Sequence, residues 1–302
     1  MPALQGAYIN LAASTGRRDA MEAQLQRLGL GWVRRFEAVP ARPAGAAGDA
    51  VAAAERACVE SHARLAGHLA AAPGFSLVLE DDALLSDALP AVLAQPGLLA
   101  QLAPYDLAFL ECQPDIGTPA LMALWASRQR RMSPLGSAPR RLLGVDILEA
   151  QGVYRWGAVA YLLTPRGAPV LQALAARALA ERPDAPWDLM LRRWIEGGQL
   201  RAAVLSPFLA TARLDSHGDS TIAGHSRALA PPERLGAAMR RLFFAGPSGE
   251  LAAFAEPARR DALTDDPELR LLADLVAQLF VVNAQGEAVT PAGPADRRSS
   301  AP

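Results

Sequence analysis

The chain of 302 residues is 51% hydrophobic and 20% charged, which is typical of a globular protein long enough for one large or two small domains. Its formal net charge of -1 gives no positive field that would attract nucleic acid. The sequence contains arginine but no lysine. This excludes P-loop and pyridoxal Schiff-base chemistry, because both depend on a lysine side chain.

The first 224 residues alternate between predicted strands and helices. Residues 113–153 interrupt the alternation with irregular polar sequence, and we expect a long loop there. The alternation predicts an α/β fold. Strands are predicted at residues 6–11, 32–39, 75–80, 105–111, 157–164 and 200–206, and helices at 19–28, at 49–72 and directly after Asp188.

The character of the sequence changes after Gly224. Residues 231–244 (PPERLGAAMRRLFF) form a basic amphipathic pattern, with Arg234, Arg240 and Arg241 off the apolar face. Such a helix can lie on an anionic membrane. The alternative is docking against the domain, with the arginines in solvent. The predicted organisation is a domain at 1–224, a helical extension at 225–285 with an apolar helix at 269–280, and a disordered tail at 286–302.

The cysteines and the hydropathy predict a cytoplasmic protein. Cys58 and Cys112 form no CxxC pair and no disulfide framework, which favours a reducing compartment. We find neither a signal-peptide pattern nor a run of ~20 apolar residues. We therefore expect a cytoplasmic location, with peripheral contact at the inner face of a membrane as an open option.

The stretch FSLVLEDDALL, residues 75–85, runs from a buried strand straight into Glu80, Asp81 and Asp82. Burying an unpaired carboxylate is costly. Ligands of α/β sheets bind beyond the carboxyl ends of strands, and carboxylate oxygens there can hold a hard divalent cation. The alternative is a turn with solvated acids, one of which caps the next helix. Both interpretations stay open on this stretch alone.

An ordered series of segments resembles glycosyltransferase family 25, which contains bacterial lipooligosaccharide galactosyltransferases and collagen galactosyltransferase domains. The resemblance covers most of residues 6–224. INLAASTGRRDAMEAQLQRLGL followed by FEAV is similar to the family's opening strand, paired arginines and helix. ACVESHARL resembles "GCxLSHxxxW", and LVLEDDALL resembles "VLEDDV". GAVAYLLTPRGA resembles "GTHAYLISPRGA", PWDLML resembles "PVDxxL", and DSTI resembles the closing "STI".

The resemblance implies a GT-A-like fold, a nucleotide-diphospho-sugar transferase domain with a mixed central sheet flanked by helices. It implies a metal-dependent, inverting transfer of a hexose, galactose from UDP-galactose, onto a glycan acceptor such as lipopolysaccharide or lipooligosaccharide core. Asp82 would ligate Mn²⁺ or Mg²⁺ at the donor diphosphate. Glu80 would share the metal or face the donor ribose or sugar, and Asp81 would support both.

Further donor-site candidates flank this motif. Arg17 and Arg18 precede a predicted helix, whose N-terminus favours anions, and could contact the diphosphate or the uracil; the alternative is two solvated arginines. In LDSHGDSTI, His217 is a candidate second metal ligand, and Ser220 and Thr221 are candidates for the diphosphate. Ordinary turn chemistry is the alternative for all three.

The acceptor side has its own candidates. Asp188 in PWDLML, which matches the family aspartate, is the predicted general base; the alternative is an N-cap of the helix that follows it. Tyr154, Trp156 and Trp187 are candidates to stack on an acceptor sugar, and core or rim positions are the alternative.

Ser61 and His62 do not form a nucleophile–base pair, because adjacent helical residues point in different directions. We expect His62 either to hold the acidic segment or to pack in the core, and Cys58 to be a small core residue.

Two other functions stay open. One is a protein of the same fold that binds glycan or nucleotide sugar without turnover, which the departures from the family pattern at Ala57 and Gly157 would permit. The other is a metal-dependent phosphohydrolase, which usually has several separated Asp/His clusters.

Overall fold

The computed structural model describes most of the first 213 residues, together with a short segment further along. The described ranges are 4–41, 53–71, 73–95, 97–115, 117–134, 141–213 and 240–246, and the backbone of 290–291.

The described residues form a mixed α/β fold. The strands are β1 Leu4–Asn10, β2 Val33–Glu37, β3 Phe75–Glu80, β4 Ala83–Leu85, β5 Leu107–Phe109, β6 Gln113–Pro114, β7 Arg141–Leu142, β8 Asp146–Glu149, β9 Tyr154–Trp156, β10 Ala160–Leu163, β11 Ala202–Ser206, β12 Ala210–Ala212 and β13 Thr290–Pro291. The helices are α1 Thr15–Arg27, α2 Ala53–Ala70, α3 Leu89–Leu93, α4 Leu98–Leu102, α5 Thr118–Arg131, α6 Gly167–Glu181 and α7 Trp187–Glu196, and a 3₁₀ turn spans Arg240–Phe243.

A seven-stranded sheet in the order β2-β1-β3-β10-β5-β11-β8 is the centre of the fold. β1 runs parallel to β2 and β3, and β5 runs parallel to β11. β10 is antiparallel to both β3 and β5, and β8 is antiparallel to β11. The prediction of a mixed central sheet flanked by helices is therefore confirmed.

Helices cover both faces of the sheet. Val78 of β3 packs in a core with α2, α6 and α7, whereas Leu77 and Leu79 pack on the opposite face with α1, α3 and α4. A strand buried on both faces is continuously apolar, which explains the run FSLVL. The strands β1, β3, β5 and β11 share one direction, so their carboxyl ends meet at one edge of the sheet.

The predicted loop over 113–153 is wrong. It contains the fourteen-residue helix α5 and several short strands. Pro119 stands in the first turn of the helix, where its missing N–H leaves no hydrogen bond unmade. Leu124 packs into the core. The arginines at the end of α5 made this part of the sequence look polar, although one face of the helix is apolar.

Gly167 of the segment GAVAYLLTPRGA begins α6, a helix that was not predicted separately. A Cβ on Gly167 would lie 1.7 Å from the carbonyl oxygen of Asp106. Arg166 donates through Nε to the Asp106 carboxylate at 2.8 Å. Because the backbone at position 167 lies this close to the backbone of Asp106, only glycine fits at position 167.

The membrane interpretation of residues 231–244 is wrong where the structure describes them. Arg240 and Arg241 are buried rather than facing solvent or lipid. Arg240 lies 3.5 Å from the Glu111 carboxylate, and Arg241 donates to the carbonyl oxygen of Ala212. Cations that are already paired inside the protein cannot bind anionic lipid headgroups. Within the described residues, no helix is long and apolar enough to cross a bilayer.

The remaining C-terminal predictions largely concern residues outside the described ranges. The apolar helix expected at 269–280 lies outside the described residues, as does nearly all of the extension and the tail. In the tail, the backbone of Thr290–Pro291 pairs in parallel with β7.

Candidate functional site

The acidic segment lies at the carboxyl edge of the sheet. Glu80 is the last residue of β3, and Asp81 and Asp82 form the turn into β4. The cleft above this turn is bounded on one side by the end of β1 and the start of α1, and on the other by α2. The three carboxylates differ in their partners, and therefore in what they can do.

Asp81 is held in place by two donors from other elements. Asn10, the last residue of β1, donates through Nδ2 to Asp81 Oδ2 at 2.7 Å, and Arg17 of α1 donates to Oδ1 at 3.3 Å. Arg35 donates in turn to Asn10 Oδ1 at 2.9 Å. Burial raises the pKa of Asp81, while the bonds from Asn10 and Arg17 act to lower it. Asp81 is thus a supporting carboxylate whose oxygens are already bonded.

Glu80, which is half-buried, contacts a chain of buried polar groups. Its Oε1 lies 3.2 Å from His62 Nε2, and His62 Nδ1 lies 2.9 Å from the Tyr161 hydroxyl. The imidazole also stacks on Trp187, with ring centroids 5.0 Å apart. The contact expected between His62 and the acidic segment is present, and it orients Glu80 at the floor of the cleft.

Asp82 has an oxygen with no such partner. Among the described residues, nothing donates a hydrogen bond to its Oδ1, which is a buried atom. Burial, together with the charges of Glu80 and Asp81, raises the pKa of Asp82 to about 7. An unpartnered carboxylate oxygen beside two other acids is expensive without a cation. These residues therefore fit a divalent cation held by oxygen ligands.

Arg17 and Arg18 have different positions. Arg17 lines the cleft next to the first turn of α1, as expected for a residue that contacts an anion. Arg18 is not among the cleft residues, and its Nε lies 3.6 Å from the carboxylate of its exposed neighbour Asp19. The predicted donor contact of Arg18 is therefore not supported by its position, because the helix turns the side chain away.

Asp188 lies on α7, a different element from the one that carries the acidic segment. It is the second residue of α7, whose N-cap is Pro186, so the N-cap interpretation of Asp188 is wrong. Its Oδ2 accepts from the backbone N–H of Gly157 at 3.3 Å, and its Oδ1 accepts from Leu189 N at 2.9 Å. The pKa of Cys58 in the cleft wall is raised by burial, then by the charges of Glu80 and Asp188. Asp188 is not among the residues that line the cleft, although its charge acts on Cys58 in the cleft wall.

Two of the three predicted acceptor residues belong to the core. Tyr154 is buried and stacks on Phe109 with ring centroids 4.2 Å apart. Trp187 is buried between His62 and Trp194. Both rings are buried and in contact with other aromatic side chains, so neither is placed to stack on an acceptor sugar. Trp156 is half-buried in β9, and its acceptor role stays a prediction.

Glu111 is a buried acid whose partner was not predicted from the sequence. It lies just beyond β5, is fully buried and forms an ion pair with Arg240. Burial raises its pKa, and the neighbouring arginines oppose this. The sequence did contain a signal for this residue, because FSLVLE and YDLAFLE both end in glutamate. β3 and β5 run in the same direction on either side of β10, so their last residues lie at the same edge of the sheet.

The predicted candidates His217, Ser220 and Thr221 lie outside the described residues.

Comparisons with known proteins leave the family open. No family model and no curated protein matches the sequence. Among solved structures, the chain is similar to a glycosyltransferase involved in the glycosylation of the major capsid of PBCV-1. The sequence identity is 11%, the match covers 67% of this chain and 81% of that chain, and the TM-score is 0.33. A likeness at this level carries no argument, so the function has to be inferred from the residues of the cleft.

Proposed function

We propose that the protein is a metal-dependent glycosyltransferase that uses a nucleotide-sugar donor. The observation that carries this proposal is the segment Glu80–Asp82 at the carboxyl edge of the sheet, where Asp82 Oδ1 has no partner among the described residues. The resemblance to family 25 supplies the finer terms. These are a GT-A-like domain, galactose from UDP-galactose as the donor, and a lipopolysaccharide or lipooligosaccharide core as the acceptor.

The residues present fit the cation that this chemistry requires. Asp82 and Glu80 would hold Mn²⁺ or Mg²⁺ through their oxygens. When bound, such an ion stabilises the negative charge on a leaving nucleoside diphosphate. Arg17 adds a fixed positive charge at the same wall, close to the N-terminus of α1. Asp81 keeps the turn in place through Asn10 and Arg17.

Asp188 is the proposed general base. In an inverting transfer, the acceptor oxygen forms a bond to the anomeric carbon while the bond from that carbon to the diphosphate oxygen breaks. The proton of the acceptor hydroxyl passes to a carboxylate, and the diphosphate leaves with the bonding electrons. A base must come from a different segment than the groups around the diphosphate. Asp188 meets this condition, and the Gly157 N–H fixes the orientation of its Oδ2.

The test measures release of UDP from UDP-galactose with Mn²⁺ or Mg²⁺, with and without a core oligosaccharide. We expect release that requires both metal and acceptor, and its loss in Asp82→Asn. Asp87→Asn is the matched control, because Asp87 pairs with Arg27 outside the cleft. Equal UDP release without acceptor would mean that water takes the place of the acceptor, whereas UMP and galactose 1-phosphate as the products would indicate a phosphohydrolase. Donor binding without any release would indicate a non-catalytic binding protein.

A further inference from the structure

The α2 wall of the cleft brings a thiol and an imidazole together with a carboxylate. Cys58 and His62 are four residues apart on α2, so their side chains lie on the same face of the helix. Glu80 faces them from the end of β3. One ligand atom from each residue, a sulfur, a ring nitrogen and a carboxylate oxygen, lies within 4.8 Å of the other two.

Both ring nitrogens of His62 have defined neighbours. Nδ1 lies 2.9 Å from the Tyr161 hydroxyl, and Nε2 lies 3.2 Å from Glu80 Oε1. With the proton on Nδ1 and directed at Tyr161, the lone pair of Nε2 points to the Glu80 side. Metal-binding histidines are commonly oriented in this way by a second hydrogen bond. The same contacts argue against a Cys–His catalytic pair, because each ring nitrogen already has an oxygen neighbour.

The spacing fits one small cation. In a tetrahedral zinc site, bonds of about 2.0–2.2 Å to nitrogen and oxygen place neighbouring ligand atoms about 3.3–3.6 Å apart. The 3.2 Å between His62 Nε2 and Glu80 Oε1 is close to this edge length. The sulfur, the nitrogen and the oxygen all lie within 4.8 Å of one another, so a small adjustment of the side chains would bring all three to zinc-ligand spacing. Cys58 is only partly buried and lines the cleft, so an ion has a route to it.

We propose that Cys58 Sγ, His62 Nε2 and the Glu80 carboxylate bind a thiophilic divalent cation of the zinc class. Its fourth position would be open to the cleft, and the thiol proton would be released to solvent on binding. Thiolate and imidazole ligands select zinc or cadmium over magnesium and manganese. This separates the site from the oxygen ligands around Asp82.

One consequence rests on the proposed function, although the site itself does not. Glu80 belongs to both ligand sets, so a zinc-class ion on Cys58 and His62 would compete with the transferase metal for this carboxylate. Zinc would then inhibit the enzyme.

The test is a titration of the full chain, reduced and stripped of metal, with Cd²⁺ and no sugar nucleotide. We expect one equivalent to bind with the ultraviolet charge-transfer band of a cadmium thiolate. Cys58→Ser and Cys58→Ala should both lose the band. Cys112→Ala should keep it, because Cys112 is buried away from the cleft. Tyr161→Phe should keep the band and weaken Cd²⁺ affinity by about 10–100-fold. Circular dichroism of each variant checks that it is folded.

Three results would overturn the site. The band could persist in folded Cys58→Ser, it could be missing from the wild-type protein, or Mg²⁺ could displace Cd²⁺ as effectively as Zn²⁺ does. Because the titration contains no donor, a failure of glycosyl transfer would leave its outcome unchanged. A failure of the cadmium site would likewise leave the UDP-release assay unchanged.

Discussion

Asn10 at the end of β1 donates a hydrogen bond of 2.7 Å to Asp81 just beyond the end of β3. The bond joins two neighbouring parallel strands at the edge where the acidic turn begins. It also places a neutral donor against a carboxylate that would otherwise face Glu80 and Asp82. The shape of the acidic turn therefore depends on a residue that lies far away in the sequence.

Replacing Asn10 by alanine should lower the free energy of unfolding by about 1.5–3 kcal/mol, the range for a bond to a charged group. Gln5→Ala is the matched control, because Gln5 joins the same two strands through a neutral bond of 2.9 Å to Ser76. Its loss should cost about 0.5–1.5 kcal/mol. Urea unfolding measures both, and equal losses would contradict a special role for the charged bond.

Metal binding at Asp82 should depend on pH. Burial and the charges of Glu80 and Asp81 raise the pKa of this carboxyl to about 7, so a proton competes with the ion below that pH. Mn²⁺ affinity should fall by about tenfold per pH unit below 7 and level off above it. Calorimetric titration across this range provides the measurement. A flat profile would show that Asp82 is not a ligand.

The same shift predicts the stability of the metal-free protein. A carboxyl with a raised folded pKa stabilises the folded state at low pH, and this contribution is lost as pH rises from the unfolded value of about 3.9 towards about 7. Asp82→Asn should therefore melt at a higher temperature than the wild type above pH 7 without metal. Added Mn²⁺ should raise the wild-type melting temperature and leave that of the variant unchanged.

Asp188→Asn should retain donor binding and stability and lose about 10²–10⁴-fold in turnover, because the amide cannot accept the acceptor proton. Asp184→Asn provides the same substitution four residues earlier. Asp184 is largely exposed and pairs with Arg193, so its loss should leave turnover close to wild type. Steady-state kinetics separates the two. Near wild-type turnover in Asp188→Asn would remove this residue from the mechanism.

Gly157→Ala should reduce both stability and turnover. Gly157 has φ +100, where a side chain costs about 1–3 kcal/mol, and its N–H holds Asp188. Gly152→Ala is the control, because Gly152 has φ +80 in open space and contacts nothing in the cleft. Both variants should melt earlier, but only the first should lose activity. Equal activities would mean that the Gly157 N–H does not position the base.

Arg240→Met should destabilise the fold by about 3–5 kcal/mol, because it leaves the buried Glu111 carboxylate without its cation. The double variant with Glu111→Gln should recover most of this loss, since no charge then remains uncompensated. A double-mutant cycle in urea tests the pair. Additive effects would show that the contact of 3.5 Å carries no coupling.

Local patterns in the sequence were sufficient to predict the main strands of the sheet. The apolar run of FSLVL identifies a strand buried on both faces, and three acids in succession mark where it ends. Both features follow from local chemistry, since continuous apolar residues need cover on both sides and charged residues stay near the surface. Position in the chain alone thus indicated that Glu80, Asp81 and Asp82 lie at the carboxyl end of a core strand.

Tertiary structure alone decided what each side chain does there. Both side-chain oxygens of Asp81 are bonded, because Asn10 and Arg17 reach them from 71 and 64 residues away, whereas Asp82 Oδ1 has no hydrogen-bond partner in the part of the chain that the structure describes. Trp187 stacks on His62 of α2, a residue distant in the sequence, rather than facing a sugar. Propensity and periodicity depend on neighbours in the sequence, whereas hydrogen-bond and stacking partners depend on strand order and helix placement. The sequence therefore located the acidic edge, and the packing of distant segments determined which of its oxygens have hydrogen-bond partners within the described residues.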